Sequence, residues 1–304
     1  MKIQNSKLKT QKLIKLFKNN TGQIVLLLVL ITVVGLTIGL SLISRTVTDM
    51  RISSQIEQSG RAFSAAEAGV ENALQSINSG AITPTGSLSI NNLEAKADYS
   101  IRTYGGTTDV LVFNQTEENS TQIVWLVDHD NNRNIIIPTP PVTPSVPYNS
   151  TIDVCWGSDP NINPAIEVSV YYILSGEYRV AKAAYESVGG RNNNFYSADA
   201  GVDNCGGNYR FHKLIKFSDP SPGGFNLTNP ATVLLALRIK SLYANSTLAV
   251  QPQNGSFNIP KQGEIITSVG HTGTDTVRKI EVINGYKQMP SILDFSLFCD
   301  NCIN

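Results

Sequence analysis

The chain has 304 residues, and its 24 Lys and Arg are balanced by 24 Asp and Glu. That balance gives no global pull toward nucleic acid, and 41% hydrophobic against 16% charged residues excludes a disordered chain. Four cysteines are too few for a disulfide scaffold, and three scattered histidines leave little for a zinc or Ser-His-Asp site. No cofactor is expected.

The charge is unevenly placed. Residues 1–22 carry six lysines (Lys2, Lys7, Lys9, Lys12, Lys15, Lys18) and no acid. Residues 23–43 then read QIVLLLVLITVVGLTIGLSLI, with 15 Leu, Ile or Val in 21 positions and no charge. About 20 helical residues cross a bilayer core of about 30 Å. With the lysines ahead of the span, the positive-inside rule puts the N-terminus in the cytoplasm and the rest of the chain outside. The rival is a cleaved signal peptide with its site at Gly39-Leu40-Ser41, but its apolar core is usually about 7–15 residues. Gly35 and Gly39 form a small-xxx-small pair, which lets a second helix approach closely.

No breaker follows. Residues 44–78 hold no Pro, and Phe63, Ala66, Val70, Ala73/Leu74 and Ile77 recur at helical spacing. The spacing predicts one helix from Gln23 to about Asn78, ended by Asn78-Ser79-Gly80, with its apolar stripe covered by the body. Gly60 is a soft point within it.

A Lys-rich leader, then Gly22, then an apolar helix running into an amphipathic half resembles a type IV prepilin. The run Arg61-Ala62-Phe63-Ser64-Ala65-Ala66-Glu67-Ala68-Gly69 resembles the PilX N-terminal family of pilin-like proteins, which shows an aromatic residue closely followed by AAEAG at this offset. The resemblance covers about residues 18–75. It implies cleavage between Gly22 and Gln23 by a prepilin peptidase, methylation of Gln23, and other pilin-like subunits as partners. Major pilins usually carry Glu at the fifth mature position, where this chain has Leu27, which points to a minor rather than a bulk subunit.

The body reads as β-rich. Strands are expected near 95–104, 109–114 and 121–127, then, after the proline-rich stretch 138–147, at 151–156, 165–174, 178–185, 209–217, 231–243, 256–259, 264–269 and 275–283. The fold class is therefore α+β: a long membrane-spanning helix and a mainly antiparallel, sandwich-like extracellular body. The division by sequence is a leader (1–22), the helix (23–78), a β-rich segment on the helix (79–137), a linker (138–148) and a β-sandwich-like domain (149–304). The tail, a Gly-rich turn, an Arg-Lys strand and then Pro-x-Ile-x-Asp-Phe, also resembles the end of such pilin-like surface proteins.

Outside the membrane, four cysteines favour disulfides with three possible connectivities. The preferred one is Cys155 with Cys205 and Cys299 with Cys302, since CxxC partners are necessarily close. A CxxC redox catalyst would open a helix, whereas this motif ends the chain. Asp128-His129-Asp130-Asn131-Asn132-Arg133-Asn134 alternates oxygen ligands like a calcium loop. It has Arg133 where the turn Gly belongs and Thr139 where the bidentate Glu belongs, so a solvated loop is the better reading. After the apolar span, six N-x-S/T sequons, at Asn114, Asn119, Asn149, Asn226, Asn245 and Asn254, are what an Asn/Ser/Thr-rich chain produces by chance. The expectation is a non-enzymatic, structural or adhesive surface protein of the pilin-like class. The alternative is a single-pass anchored binding domain outside any filament.

Overall fold

The computed structural model describes residues 21–90, 94–107, 110–139, 143–187, 191–200, 205–207, 209–253, 257–273, 276–288 and 290. The leader 1–20, the Cys299–Cys302 pair and most of the tail motif lie outside the described residues.

Helix α1 runs unbroken from Thr21 to Asn78, 58 residues, or about 87 Å. Its apolar part satisfies both of its threonine hydroxyls. Thr32 and Thr37 donate to the carbonyls of Val29 and Val34, each at 2.8 Å, so these two hydroxyls are satisfied within the helix. The helix stops where Gly80 takes φ +72° and its amide reaches the Ile77 carbonyl at 3.1 Å. Ser76 then catches the departing chain, its Oγ accepting from the Thr83 amide at 2.9 Å.

Thirteen strands follow among the described residues: β1 (Thr85–Ile90), β2 (Ala95–Gly105), β3 (Leu111–Thr116), β4 (Thr121–Trp125), β5 (Thr151–Trp156), β6 (Ala165–Leu174), β7 (Glu177–Glu186), β8 (Tyr196–Ser197), β9 (Phe211–Lys216), β10 (Val233–Leu242), β11 (Ser246–Pro252), β12 (Lys261–Thr272) and β13 (Val277–Gly285). They make three sheets, ordered β1-β2-β12-β13, β4-β10-β6-β7-β8 and β3-β11-β5-β9. Every pairing is antiparallel except the short β7–β8 contact.

The first sheet packs on α1. The other two share one large core, to which Leu111, Ile152, Val154, Trp156 and Leu248 come from one sheet and Val124, Ile166, Val168, Leu234 and Leu237 from the other. Alternation explains the split on β5: Ile152, Val154 and Trp156 enter this core, while Cys155 points to the other face against Ala249.

The strand pairing does not follow the sequence division at 138–148. β12 and β13 come from the far end of the chain, yet they complete the sheet over the helix, with β12 beside β2. β3 and β4, from before the proline stretch, pair instead with β11 and β10. Two expected boundaries also shift. The strand expected over 231–243 ends at Leu242, where Tyr243 takes φ +68°, and β11 then begins in the other sheet. Residues 257–259 are not a strand.

Gly60 lies inside α1, and a Cβ there would meet nothing within 4 Å. Gly60→Ala should therefore stabilise the chain by about 0.5–1 kcal/mol, read as a higher denaturation midpoint of the detergent-solubilised protein.

Candidate functional site

The helix is divided by what touches it. From Ile24 to Ile56 its large apolar side chains are exposed, among them Leu27, Leu30, Val33, Leu36 and Leu40. Gly35 and Gly39 sit on this bare part with open space around them. Leu27 is likewise exposed. The cover begins near Gln58 and Ser59. There Thr276 Oγ1 donates to Gln58 Oε1 at 3.4 Å and Arg278 Nε donates to Ser59 Oγ at 2.8 Å. From there to Ile77 one face is buried.

That face differs from the expected stripe. The buried positions are Ala62, Ala65, Ala66, Gly69, Val70, Ala73 and Ile77, while Phe63 is 47% exposed. The physical reason is the closeness of the seam. A Cβ on Gly270 of β12 would overlap the Ala62 carbonyl oxygen and lie 2.7 Å from the Ala66 nitrogen. A Cβ on Gly69 would overlap Ser268 Oγ and lie 3.0 Å from the Ala97 Cβ. Backbone meets backbone, so only Ala and Gly fit, and an aromatic ring must turn outward. Within the AAEAG run, Ala65, Ala66 and Gly69 face the sheet, Glu67 faces solvent and Ala68 is half-buried. Further along, where Val70, Ala73 and Ile77 meet Tyr99 and Ile266, the gap widens to admit larger groups.

A second cluster ties this sheet to the rest of the body. The Gln262 side chain, buried on β12, accepts from the Trp125 amide at 2.7 Å and donates to the Trp125 carbonyl at 2.9 Å and the Pro260 carbonyl at 2.6 Å. Beside it the loop 128–134 is pinned rather than freely solvated. Arg133 takes φ +65° and sends its guanidinium to Glu264 at 3.2 Å and to the carbonyls of Asn284 (3.1 Å) and Gly285 (2.6 Å). Asp130, the central would-be calcium ligand, is occupied by the amides of Asn132 and Asn134 at 2.9 and 2.8 Å. These amides hold its carboxyl below the usual carboxylate range. His129 stacks on Tyr286 with ring centroids 3.8 Å apart and meets Trp125 edge-on at 4.9 Å. Arg133, Gln262, Glu264 and Tyr286 were not singled out from sequence. Arg133 appeared there only as a defect in a calcium pattern.

Two outcomes follow for this cluster. Glu264 is 4% exposed in its side chain and is also held by Lys261 Nζ at 2.7 Å. Arg133→Met therefore leaves the carboxylate one partner and should cost about 2–3 kcal/mol. Adding Lys261→Met should bring the loss to about 3–5 kcal/mol, that of a buried charge left alone. Urea unfolding of the single and double variants checks the excess over additivity.

Burial lowers the His129 pKa from its ordinary value, outweighing the upward pull of Asp128 and Asp130. The unfolded chain then binds the extra proton first. Stability is full above the ordinary histidine pKa of about 6.5 and falls as pH drops through it toward the lower folded value. His129→Phe, which keeps the stacking, should flatten the fall in urea midpoint between about pH 7.5 and 5.5.

Cys155 and Cys205 are joined by a disulfide, both buried, across a sequence separation of 50. Comparisons with protein-family models, with characterised proteins and with solved structures gave no match.

Proposed function

We propose that the chain is a non-enzymatic, pilin-like surface subunit of the minor type, stored in the membrane through residues 23–43 and inserted in a type IV pilus-like filament. The carrying observation is the division of one continuous helix into a bare apolar half and a half seated on a sheet through Ala and Gly. A bare apolar helix of this length needs either lipid or other helices around it. Residues 23–43 span the bilayer with the lysine leader in the cytoplasm, and the β body, two sheets packed as a sandwich plus a helix-bearing sheet, faces outside. A prepilin peptidase removes the leader after Gly22 and Gln23 becomes the methylated N-terminus. The helix can then leave the bilayer, since no lysine has to cross hydrocarbon, and Gly35 and Gly39 let neighbouring helices close in. Leu27 supplies no carboxylate for a neighbour's amine, so the subunit relies on other pilin-like partners. The outer body serves a structural or adhesive role.

Shearing cells that carry the pilus machinery tests the reading. The chain should appear in the sheared filament fraction, and should vanish from it when the peptidase is deleted. A chain that stays wholly with the membranes in both strains would instead be a single-pass anchored binding domain.

A further inference from the structure

The three sheets meet at one pocket. Tyr104 of β2 and Ile283 of β13 reach it from the helix-bearing sheet, Phe113 and Gln115 from β3, and Gln122 and Trp125 from β4. Among the described residues β3 and β4 are edge strands of the other two sheets, so the pocket lies along strand edges rather than inside a core. Its volume is about 280 Å³, just under the usual range of about 300–1,000 Å³ for small-molecule sites. Its back wall is fixed. The Gln262 side chain makes its three hydrogen bonds to the backbone of Trp125 and Pro260, and the Tyr286 ring is stacked on His129. These two side chains shape the wall and have little left for a ligand. The rings of Tyr104, Phe113 and Trp125 are each half-buried. Gln122 is oriented by its Nε2, which donates to Thr116 Oγ1 at 3.2 Å, while Gln115 and Gln288 are exposed. Among the described residues, none that lines the pocket is charged.

We propose that this pocket binds a neutral sugar residue at the end of a glycan, its ring laid on the aromatic side chains and its hydroxyls on the glutamine carboxamides. The inference deepens the adhesive role proposed above and rests on it, since it names the chemical class to which the body adheres. The lining selects that class by what it lacks. A charged ligand would give up its hydration and meet no counter-charge. A wholly apolar ligand would cut the Gln115 and Gln122 carboxamides off from water and return no hydrogen bond. A sugar ring meets both halves of the lining. Its C–H faces cover the rings of Tyr104, Phe113 and Trp125, which bring large apolar area in fixed orientations. Each of its hydroxyls donates and accepts, as a carboxamide does, so Gln115, Gln122 and Gln288 match it in either direction. The volume admits one ring and leaves the rest of a glycan outside.

The test uses the full chain in micelles of a detergent without a sugar headgroup. The chain has two tryptophans. Trp156 is wholly buried in the large core, so a change in indole fluorescence on adding a ligand reports Trp125. The methyl glycosides of glucose, galactose, mannose and N-acetylglucosamine are titrated in turn. At least one should shift the emission saturably, with the millimolar affinity that a single small ring allows. Gln115→Leu changes an exposed side chain and should weaken that binding about fivefold, the worth of one hydrogen bond. Phe113→Leu removes a ring and should weaken it about twofold to tenfold. Tyr178→Leu, on β7 and outside the pocket, should leave it unchanged. No saturable shift with any glycoside, equal binding of cyclohexanol, or an affinity untouched by both pocket substitutions would overturn the proposal. Binding is read on the isolated chain, so it is scored apart from the filament. A subunit found in sheared filaments that binds no glycoside would sink this inference alone.

Discussion

Gly270→Ala should unseat the helix from its sheet. The added Cβ would overlap the carbonyl oxygen of Ala62 and press on the Ala66 nitrogen, and both are helix backbone. A flexible side chain could swing away, but these atoms cannot move without lifting several turns of α1. Overpacking in a core costs about 1–3 kcal/mol, and a backbone obstacle belongs at the upper end. A loss of about 3 kcal/mol corresponds to roughly 6–12 °C in melting temperature for a body of this size. Amide exchange should accelerate along Ala62–Ile77 and spread to β12, because the seam buries both. Gly273→Ala, only three residues on, meets nothing within 4 Å and should leave the melt unchanged. Equal melts for the two variants would mean that the helix does not rest on Gly270.

Loss of the Cys155–Cys205 bond should have a comparable effect by a different route. The bridge closes a loop of 50 residues, and in the chain-entropy model such a closure stabilises the folded state by about 4 kcal/mol at 25 °C. Cys155→Ala with Cys205→Ala should lower the urea midpoint accordingly, and more than either Arg133→Met or Gly60→Ala changes it. The cost falls on the unfolded chain, so the folded contacts around Ala249 and Tyr209 should survive in the variant. A midpoint shift under about 1 kcal/mol would show that the segment around Cys205 is held in the unfolded ensemble by something else.

The helix was legible because its information is local. An uninterrupted apolar run, then apolar residues at helical spacing, then Asn78-Ser79-Gly80, mark its extent and its end. The disulfide was legible for a related reason, since CxxC partners are necessarily close and setting them aside left Cys155 to pair with Cys205. Phe63 went to the wrong face because a pattern of apolar residues treats a large ring as core. Here the close approach of Gly270 to Ala62 makes smallness, not hydrophobicity, the mark of the buried face. The clustering of Ala62, Ala65, Ala66 and Gly69 was the available signal. Strand identity was largely legible, whereas sheet membership was not. β2 pairs with β12 across most of the chain, and nothing local in Ala95–Gly105 names that partner. The same distance hid the Arg133–Glu264 pair, whose members lie 131 residues apart. The turn at Tyr243 and Asn245 was read, but β11 after it was not, although Leu248 and Val250 alternate into the large core there.

The central claim is that residues 23 onward form the mature subunit of a pilin-like assembly. Intact mass and N-terminal peptide mapping of the chain, isolated from cells that also carry a prepilin peptidase, test this most directly. The account predicts a mature protein beginning at Gln23, methylated at its amine and lacking all six leader lysines. A protein that begins at Met1, or one cut near Leu42, with no species beginning at Gln23, would contradict it.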